Sequence, residues 1–116
     1  MLSGNTDRGD EARINIVVAK DSALAYLNGR IDIDSSPAVR DRLFAVLQGP
    51  SHPKTLTLDL SAVTHIDSSG VATLIEALKI ATRNKTELKL QGLHDRLHRL
   101  FESTGISSLF NGGIRR

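Results

Sequence analysis

The chain has 116 residues, a formal net charge of +2 and no cysteine. This length is enough for one domain with its own hydrophobic core, and the lack of cysteine excludes disulfides, thiolate zinc sites and cysteine nucleophiles. Only three Phe and one Tyr are present, with no basic run between them, which argues against a nucleic-acid partner. Short apolar runs and a polar start predict a cytoplasmic protein with no membrane insertion.

The first predicted elements form a hairpin. Residues 1–12 are polar and rich in turn formers, so we predict a flexible N-terminal arm there. Apolar residues then alternate with others over 14–18 and again from 24 to 29, a pattern typical of strands. Because Asp21 and Ser22 between them are turn formers, the two strands are expected to pair in antiparallel fashion.

A helix is predicted after this hairpin. Ser36 places a capping hydroxyl directly before Pro37, which suits the first helical position. Apolar residues then recur at helical spacing, at Val39, Leu43, Val46 and Leu47. The helix is expected to end near Gly49 and Pro50.

The middle of the chain predicts a strand followed by a second helix. Residues 56–60 alternate so that one face is strongly apolar. The polar segment 67–70 follows as a turn and opens onto a helix that is expected to end near Arg83 and Asn84. On that helix we expect Val71, Leu74, Ile75 and Leu78 to share the apolar face, and Thr73, Glu76 and Lys79 to lie opposite.

The last predicted strand and helix complete the pattern. Residues 87–93 alternate again, and apolar residues at helical spacing continue until Gly105. The order ββαβαβα predicts an α/β fold, with a mixed β-sheet and helices packed mainly on one side, because strands joined through helices run parallel by right-handed crossovers. We assign the domain to 13–110 and a flexible C-terminal tail to 111–116.

The junction at Asp67 and Ser68 is the main candidate for a functional site, and two interpretations of it stay open. Both residue types are common helix caps, because their side chains accept hydrogen bonds from N–H groups of the first turn. Alternatively, the positive end of the helix would accommodate a phosphate attached to a serine. Hydrolase chemistry is not supported, since neither Gly-x-Ser-x-Gly nor Ser-x-x-Lys surrounds Ser68 or Ser69.

Other candidate sites have ordinary explanations. No glycine-rich phosphate loop occurs in the chain, so nucleotide hydrolysis is not expected. His94 and His98 have helical i, i+4 spacing, but Asp95 stands where the zinc-protease motif needs Glu, which favours two solvated histidines. Asp32 and Asp34 lack the further carboxylates of a calcium loop. We predict no metal, no cofactor and no enzymatic activity.

Three segments taken together resemble a STAS domain, over about residues 13–110: Leu27–Asp32, Leu58–Gly70 and Leu90–Gly105. The resemblance is to bacterial anti-sigma factor antagonists, which bind an anti-sigma factor with serine kinase activity and thereby free a sigma factor. It implies that Ser68 is phosphorylated, that a serine phosphatase is a second partner, and that Asp32 lies beside Ser68 and takes part in kinase binding. Asp67, Ser69 and Gly70 would shape the start of the helix.

One segment departs from this pattern and leaves a second partner open. The chain reads Gly70-Val71-Ala72 where classical antagonists usually have Gly-Leu-Gly. The longer segment Gly70-Val71-Ala72-Thr73-Leu74, together with Leu90-Gln91-Gly92, is also similar to STAS subunits of Mla-type lipid-transport ABC complexes, which dock onto the transporter ATPase. The alternatives are therefore an anti-sigma factor, with Ser68 phosphorylation as the switch, or an ABC transporter ATPase, with no phosphate required.

Overall fold

The structure is a computed structural model and describes residues 14–109, so the predicted arm (1–12) and tail (111–116) lie outside the described residues. The described strands and helices are β1 (Ile14–Val18), β2 (Ser22–Ile31), α1 (Ser36–Gln48), β3 (Thr55–Ile66), α2 (Ser68–Arg83), β4 (Glu87–Gln91), α3 (Asp95–Ser103) and α4 (Ile106–Leu109). Within this part of the chain, no helix has the length and apolar character needed to cross a bilayer.

The strands form one mixed sheet in the order β1-β2-β3-β4. β1 and β2 pair in antiparallel fashion, whereas β2 with β3 and β3 with β4 pair in parallel. Each parallel pair is joined through a helix, and right-handed crossovers place both helices on the same face, where α1 and α2 contact each other. The predicted α/β fold and the predicted hairpin are therefore confirmed.

The core lies between the helices and the inner face of this sheet. In the first half of β3, residues 55–60, alternate residues are buried and those between them are more exposed, as expected for a sheet with one covered face. Beyond Leu60 the pairing with β2 shifts register, and every third residue is buried instead. The largest fully buried side chains come from both layers and include Leu27, Ile31, Leu43, Leu47, Leu56, Leu58, Leu60, Leu74, Leu90 and Phe101. The uncovered face leaves Val17 and Tyr26 exposed.

The start of α1 differs from the prediction. The N-cap residue is Ser35, not Ser36, and its side chain makes no capping hydrogen bond. Ser36 is already helical and buried, and its Oγ has no hydrogen-bond partner within the described residues. The cap prediction was wrong because the helix begins one residue earlier than predicted, which places Ser36 inside it. The hydroxyl of Ser35, now at the cap position, donates to the carbonyl oxygen of Arg30 at 2.7 Å instead of capping the helix.

The face that α2 buries also differs from the prediction. Thr73 is buried, together with Gly70 and Ala77, whereas Val71 and Ile75 are only half-buried. The helix is rotated about its axis relative to the predicted orientation, because Gly70 packs directly against the ends of β2 and β3. Thr73 and Ala77 lie on the same face as Gly70 and therefore face the sheet. The predicted turn at 67–70 is also shorter, since β3 ends at residue 66 and α2 begins at residue 68, with only Asp67 between them.

Candidate functional site

The candidate site lies at the edge of the sheet where β2 and β3 end side by side. Ile31 and Ile66, the last residues of the two strands, are register partners. The Asp67 N–H donates to the carbonyl oxygen of Ile31 at 3.2 Å, which ties the start of α2 to the end of β2. The loop that begins with Asp32 and the helix that begins with Ser68 are therefore neighbours, as expected at the carboxyl ends of parallel strands.

Asp67 caps the helix. Its Oδ1 accepts hydrogen bonds from the backbone N–H groups of Ser69, at 2.9 Å, and Gly70, at 3.2 Å. Its carbonyl oxygen accepts the first intrahelical bond from Val71 N–H at 2.9 Å. Two of the first-turn donors that a phosphate could have used are thus occupied by a carboxylate, and the capping interpretation of Asp67 is confirmed.

Ser68 is exposed in the first turn of α2, whereas Ser69 is half-buried. A group added to the Ser68 hydroxyl would project from the protein surface beside the Asp67 carboxylate. It would feel the positive end of a 16-residue helix, which favours an anion within the first turn. The nearby carboxylate opposes this effect. The helix start therefore tolerates a phosphate on Ser68, but the N–H groups of Ser69 and Gly70 are already bonded to Asp67 and are not free to bind it.

Gly70 allows the helix to approach the sheet closely. A Cβ added at this position would lie 2.7 Å from the carbonyl oxygen of Ile31 and 2.6 Å from Cγ1 of Ile66. Real Cβ atoms do not approach other atoms this closely, and the Ile31 carbonyl is backbone that cannot rotate away. Gly70 thus fixes the distance between Ser68 and the end of β2.

Asp32 organises the loop between β2 and α1. Its Oδ1 accepts hydrogen bonds from the N–H groups of Asp34, at 3.0 Å, and Ser35, at 3.2 Å. Its Oδ2 lies 3.5 Å from Nε of Arg30. The backbone hydrogen bond from Ser35 is the largest of several effects that lower the pKa of Asp32. Partial desolvation raises the pKa but does not outweigh them, so the pKa lies below its usual value and the carboxylate is charged at neutral pH.

Ser35 is a residue of this site that the sequence reasoning missed. It is buried, its Oγ accepts from the Asp32 N–H at 3.0 Å, and it donates to the Arg30 carbonyl. The spacing Asp-x-x-Ser, in which each side chain bonds the other residue's backbone, is a known signal for a local turn and could have identified it.

The two histidines have structural roles. His94 caps α3: its Nε2 lies 3.1 Å from the Val63 carbonyl and its Nδ1 accepts from Leu97 N–H at 3.4 Å. A carbonyl can only accept, so this geometry assigns the proton to Nε2. His98 lies 3.6 Å from a carboxylate oxygen of Glu102. Over residues 14–109, no cluster of three or more His, Cys, Asp or Glu side chains could hold a metal ion.

Comparison with known proteins agrees with this architecture. The family model described as STAS domain matches residues 13–115. The chain belongs to the STAS domain family. Among curated relatives of this STAS protein, an anti-sigma-B factor antagonist from Listeria monocytogenes is 37% identical over 86 residues, which cover 72% of each chain.

Two solved structures extend the comparison. A putative anti-sigma factor antagonist from Thermotoga maritima has a TM-score of 0.79 and 16% identity, covering 94% of this chain and 91% of its own, which supports the fold alone. A sulfate transporter family protein from Wolinella succinogenes has a TM-score of 0.71 and 29% identity, covering 85% of this chain and 80% of its own.

Proposed function

We propose that this STAS protein is an anti-sigma factor antagonist: a binding protein, not an enzyme, that engages an anti-sigma factor with serine kinase activity and is released when Ser68 is phosphorylated. The observation that carries the proposal is an exposed serine in the first turn of α2, beside the ordered Asp32 loop. The 37% identical Listeria relative, named as an anti-sigma-B factor antagonist, supports the class of partner.

Ser68 is a better phosphate acceptor than Ser69. A kinase must bring the γ-phosphate of ATP in line with the attacking hydroxyl, so the acceptor must be reachable from solvent. Ser68 is exposed, whereas Ser69 is half-buried and its N–H is bonded to the Asp67 carboxylate. Phosphorylating Ser68 leaves this cap in place.

Phosphorylation would act on the complex more than on the fold. It adds about −1.5 to −2 charges at one point of the contact surface, next to the carboxylates of Asp67 and Asp32. The product phosphate would also face the anionic phosphates of the nucleotide that donated it. A combined penalty of about 3 kcal/mol would weaken binding by more than a hundredfold, and a serine phosphatase would restore it.

Intact mass spectrometry tests the acceptor. We expect incubation with ATP and the cognate anti-sigma kinase of the source organism to add one phosphate to the wild type and to Ser69→Ala, and none to Ser68→Ala. Ser69→Ala is the matched control, because it removes the neighbouring hydroxyl and leaves the Asp67 cap. A phosphate that persists in Ser68→Ala would move the acceptor elsewhere, and a wild type that no such kinase binds or modifies would overturn the function.

A transporter-associated role is the second candidate. The chain is 29% identical to a sulfate transporter family protein that covers 85% of it, and the resemblance of segments 70–74 and 90–92 to Mla-type STAS subunits suggests an ABC ATPase as the partner. As a subunit of an Mla-type ABC complex, the protein would use the same end of α2, where Ala72 is exposed next to Ser68, to bind an ATPase. This role predicts copurification with an ABC ATPase from the source organism and equal recovery of the wild type and Ser68→Ala.

A further inference from the structure

Ile33 is an exposed apolar side chain at the candidate site. Its exposed fraction is 70%, above those of Val18 (67%), Val17 (54%) and Tyr26 (42%), the other exposed large apolar residues among residues 14–106. Those three lie on β1 and β2, whereas Ile33 lies in the loop that follows β2. An isoleucine that is 70% exposed among polar loop residues buries little apolar area in the folded monomer, and that area is available to a partner in a complex.

Hydrogen bonds on both sides of Ile33 hold its backbone in place. Asp32 accepts from Asp34 and Ser35 through its carboxylate, and its carbonyl oxygen accepts from Ser36 N–H at 2.8 Å. The Ser35 hydroxyl closes the loop against Asp32 and Arg30. Because the loop is already ordered, burying Ile33 in a partner would cost little additional backbone entropy.

The same loop adjoins the phosphorylatable serine. The Ile31 carbonyl, two residues before Ile33, accepts the Asp67 N–H one residue before Ser68. A partner that reaches the Ser68 hydroxyl therefore also reaches the Ile33 loop. Asp32, Ile33 and Asp34 on this loop, with Asp67 and Ser68 at the start of α2, are hereafter the acidic-apolar patch.

The charges of this patch indicate the kind of partner that fits it. Asp32, Asp34 and Asp67 contribute three carboxylates, and Arg30 pairs with one of them. These four side chains together carry a formal charge of −2. A complementary surface would offer an apolar pocket for Ile33 with lysine or arginine at its rim.

We propose that Ile33 is the apolar anchor of the acidic-apolar patch and inserts into a pocket with a cationic rim on the anti-sigma factor. This assignment rests on the proposed function and names the contact that supplies affinity, separately from the hydroxyl that is modified. An aliphatic side chain that passes from solvent to a fully buried pocket is worth about 10- to 100-fold in affinity. Ile33→Ser should weaken binding by about that factor.

Binding measurements on the full-length protein test the anchor. Each kinase-type anti-sigma factor and each ABC ATPase of the source organism is purified and immobilised, and the Kd is measured for the wild type, Ile33→Ser, Ile33→Leu and Val18→Ser. Val18→Ser is the matched control, because Val18 is about equally exposed but pairs with Ala23, about 25 Å from Ile31 along β2. We expect a loss of about 10- to 100-fold for Ile33→Ser, less than threefold for Ile33→Leu, and no change for Val18→Ser.

Phosphorylation kinetics give a second measurement that a structural defect would not imitate. Since Ile33 supplies docking and not chemistry, Ile33→Ser should raise KM for the protein substrate by about the same factor while kcat at saturation stays within about twofold. Thermal unfolding of Ile33→Ser should match the wild type, because the side chain is exposed.

The outcomes separate the two proposals. A wild type that binds an anti-sigma factor, with Ile33→Ser binding equally well, overturns the anchor and leaves the proposed function standing. A wild type that binds no anti-sigma factor, or binds only an ABC ATPase, overturns both. Equal losses in Ile33→Ser and Val18→Ser would also overturn the anchor, because the effect would not belong to the patch.

Discussion

Gly70→Ala adds one methyl group at the point where α2 approaches the strand ends most closely. The new Cβ would lie 2.7 Å from the Ile31 carbonyl oxygen and 3.0 Å from Cγ2 of the same residue. The carbonyl also accepts the Asp67 N–H, so the helix start cannot move away without weakening that bond. We therefore expect the substitution to destabilise the protein.

Two effects that destabilise the protein and one that stabilises it set the magnitude. Overpacking at a buried contact costs about 1–3 kcal/mol, and a weakened Asp67 N–H to Ile31 bond costs up to about 1 kcal/mol. Alanine is favoured over glycine in a helix by about 1 kcal/mol, which offsets part of this loss. The net decrease in the free energy of unfolding is about 2 kcal/mol.

Urea denaturation followed by circular dichroism measures this change. Ala72→Gly is the matched control, because Ala72 is exposed on the same turn and its substitution reports helix propensity without the close contact; it should cost about 1 kcal/mol. If Gly70→Ala instead raised the free energy of unfolding by about the amount that Ala72→Gly lowers it, the contact would not constrain the helix and the reasoning about Gly70 would be refuted.

Two further substitutions test buried and charged groups. Ser36→Ala should raise the free energy of unfolding by about 1 kcal/mol, because it removes a buried hydroxyl without a partner in the described residues. A lower free energy of unfolding in urea denaturation would contradict this. For Asp59, burial raises the pKa, but hydrogen bonds from Ser61 and Gln91 outweigh it and leave the pKa below its usual value. The carboxylate therefore stabilises the fold above about pH 4 and loses this effect as pH falls through its folded pKa. The stability advantage of the wild type over Asp59→Asn should shrink in acid titrations followed by circular dichroism, and an advantage that stays constant down to about pH 2 would contradict this.

Much of the fold could be predicted from local patterns. Alternation over β1 to β4 and helical spacing in α1 to α3 identified the order of the elements, because both periods are written in neighbouring residues. The parallel pairing of β2 with β3 follows from that order and brings Asp32 and Ser68 to one edge of the sheet. The cap at Asp67 is equally local, since its carboxylate bonds N–H groups two and three residues ahead.

The tertiary structure alone decided which of several similar residues does each task. Ser36 precedes Pro37 as a cap residue would, but in the folded chain it is buried inside the helix and its hydroxyl has no partner in the described residues. Thr73 is buried because the contact of Gly70 with the strand ends sets the rotation of α2. The local spacing of apolar residues determines whether a segment forms a helix or a strand. The rotation of a helix about its axis and the exposure of a loop residue such as Ile33 depend on atoms distant in sequence, which come into contact only when the chain folds.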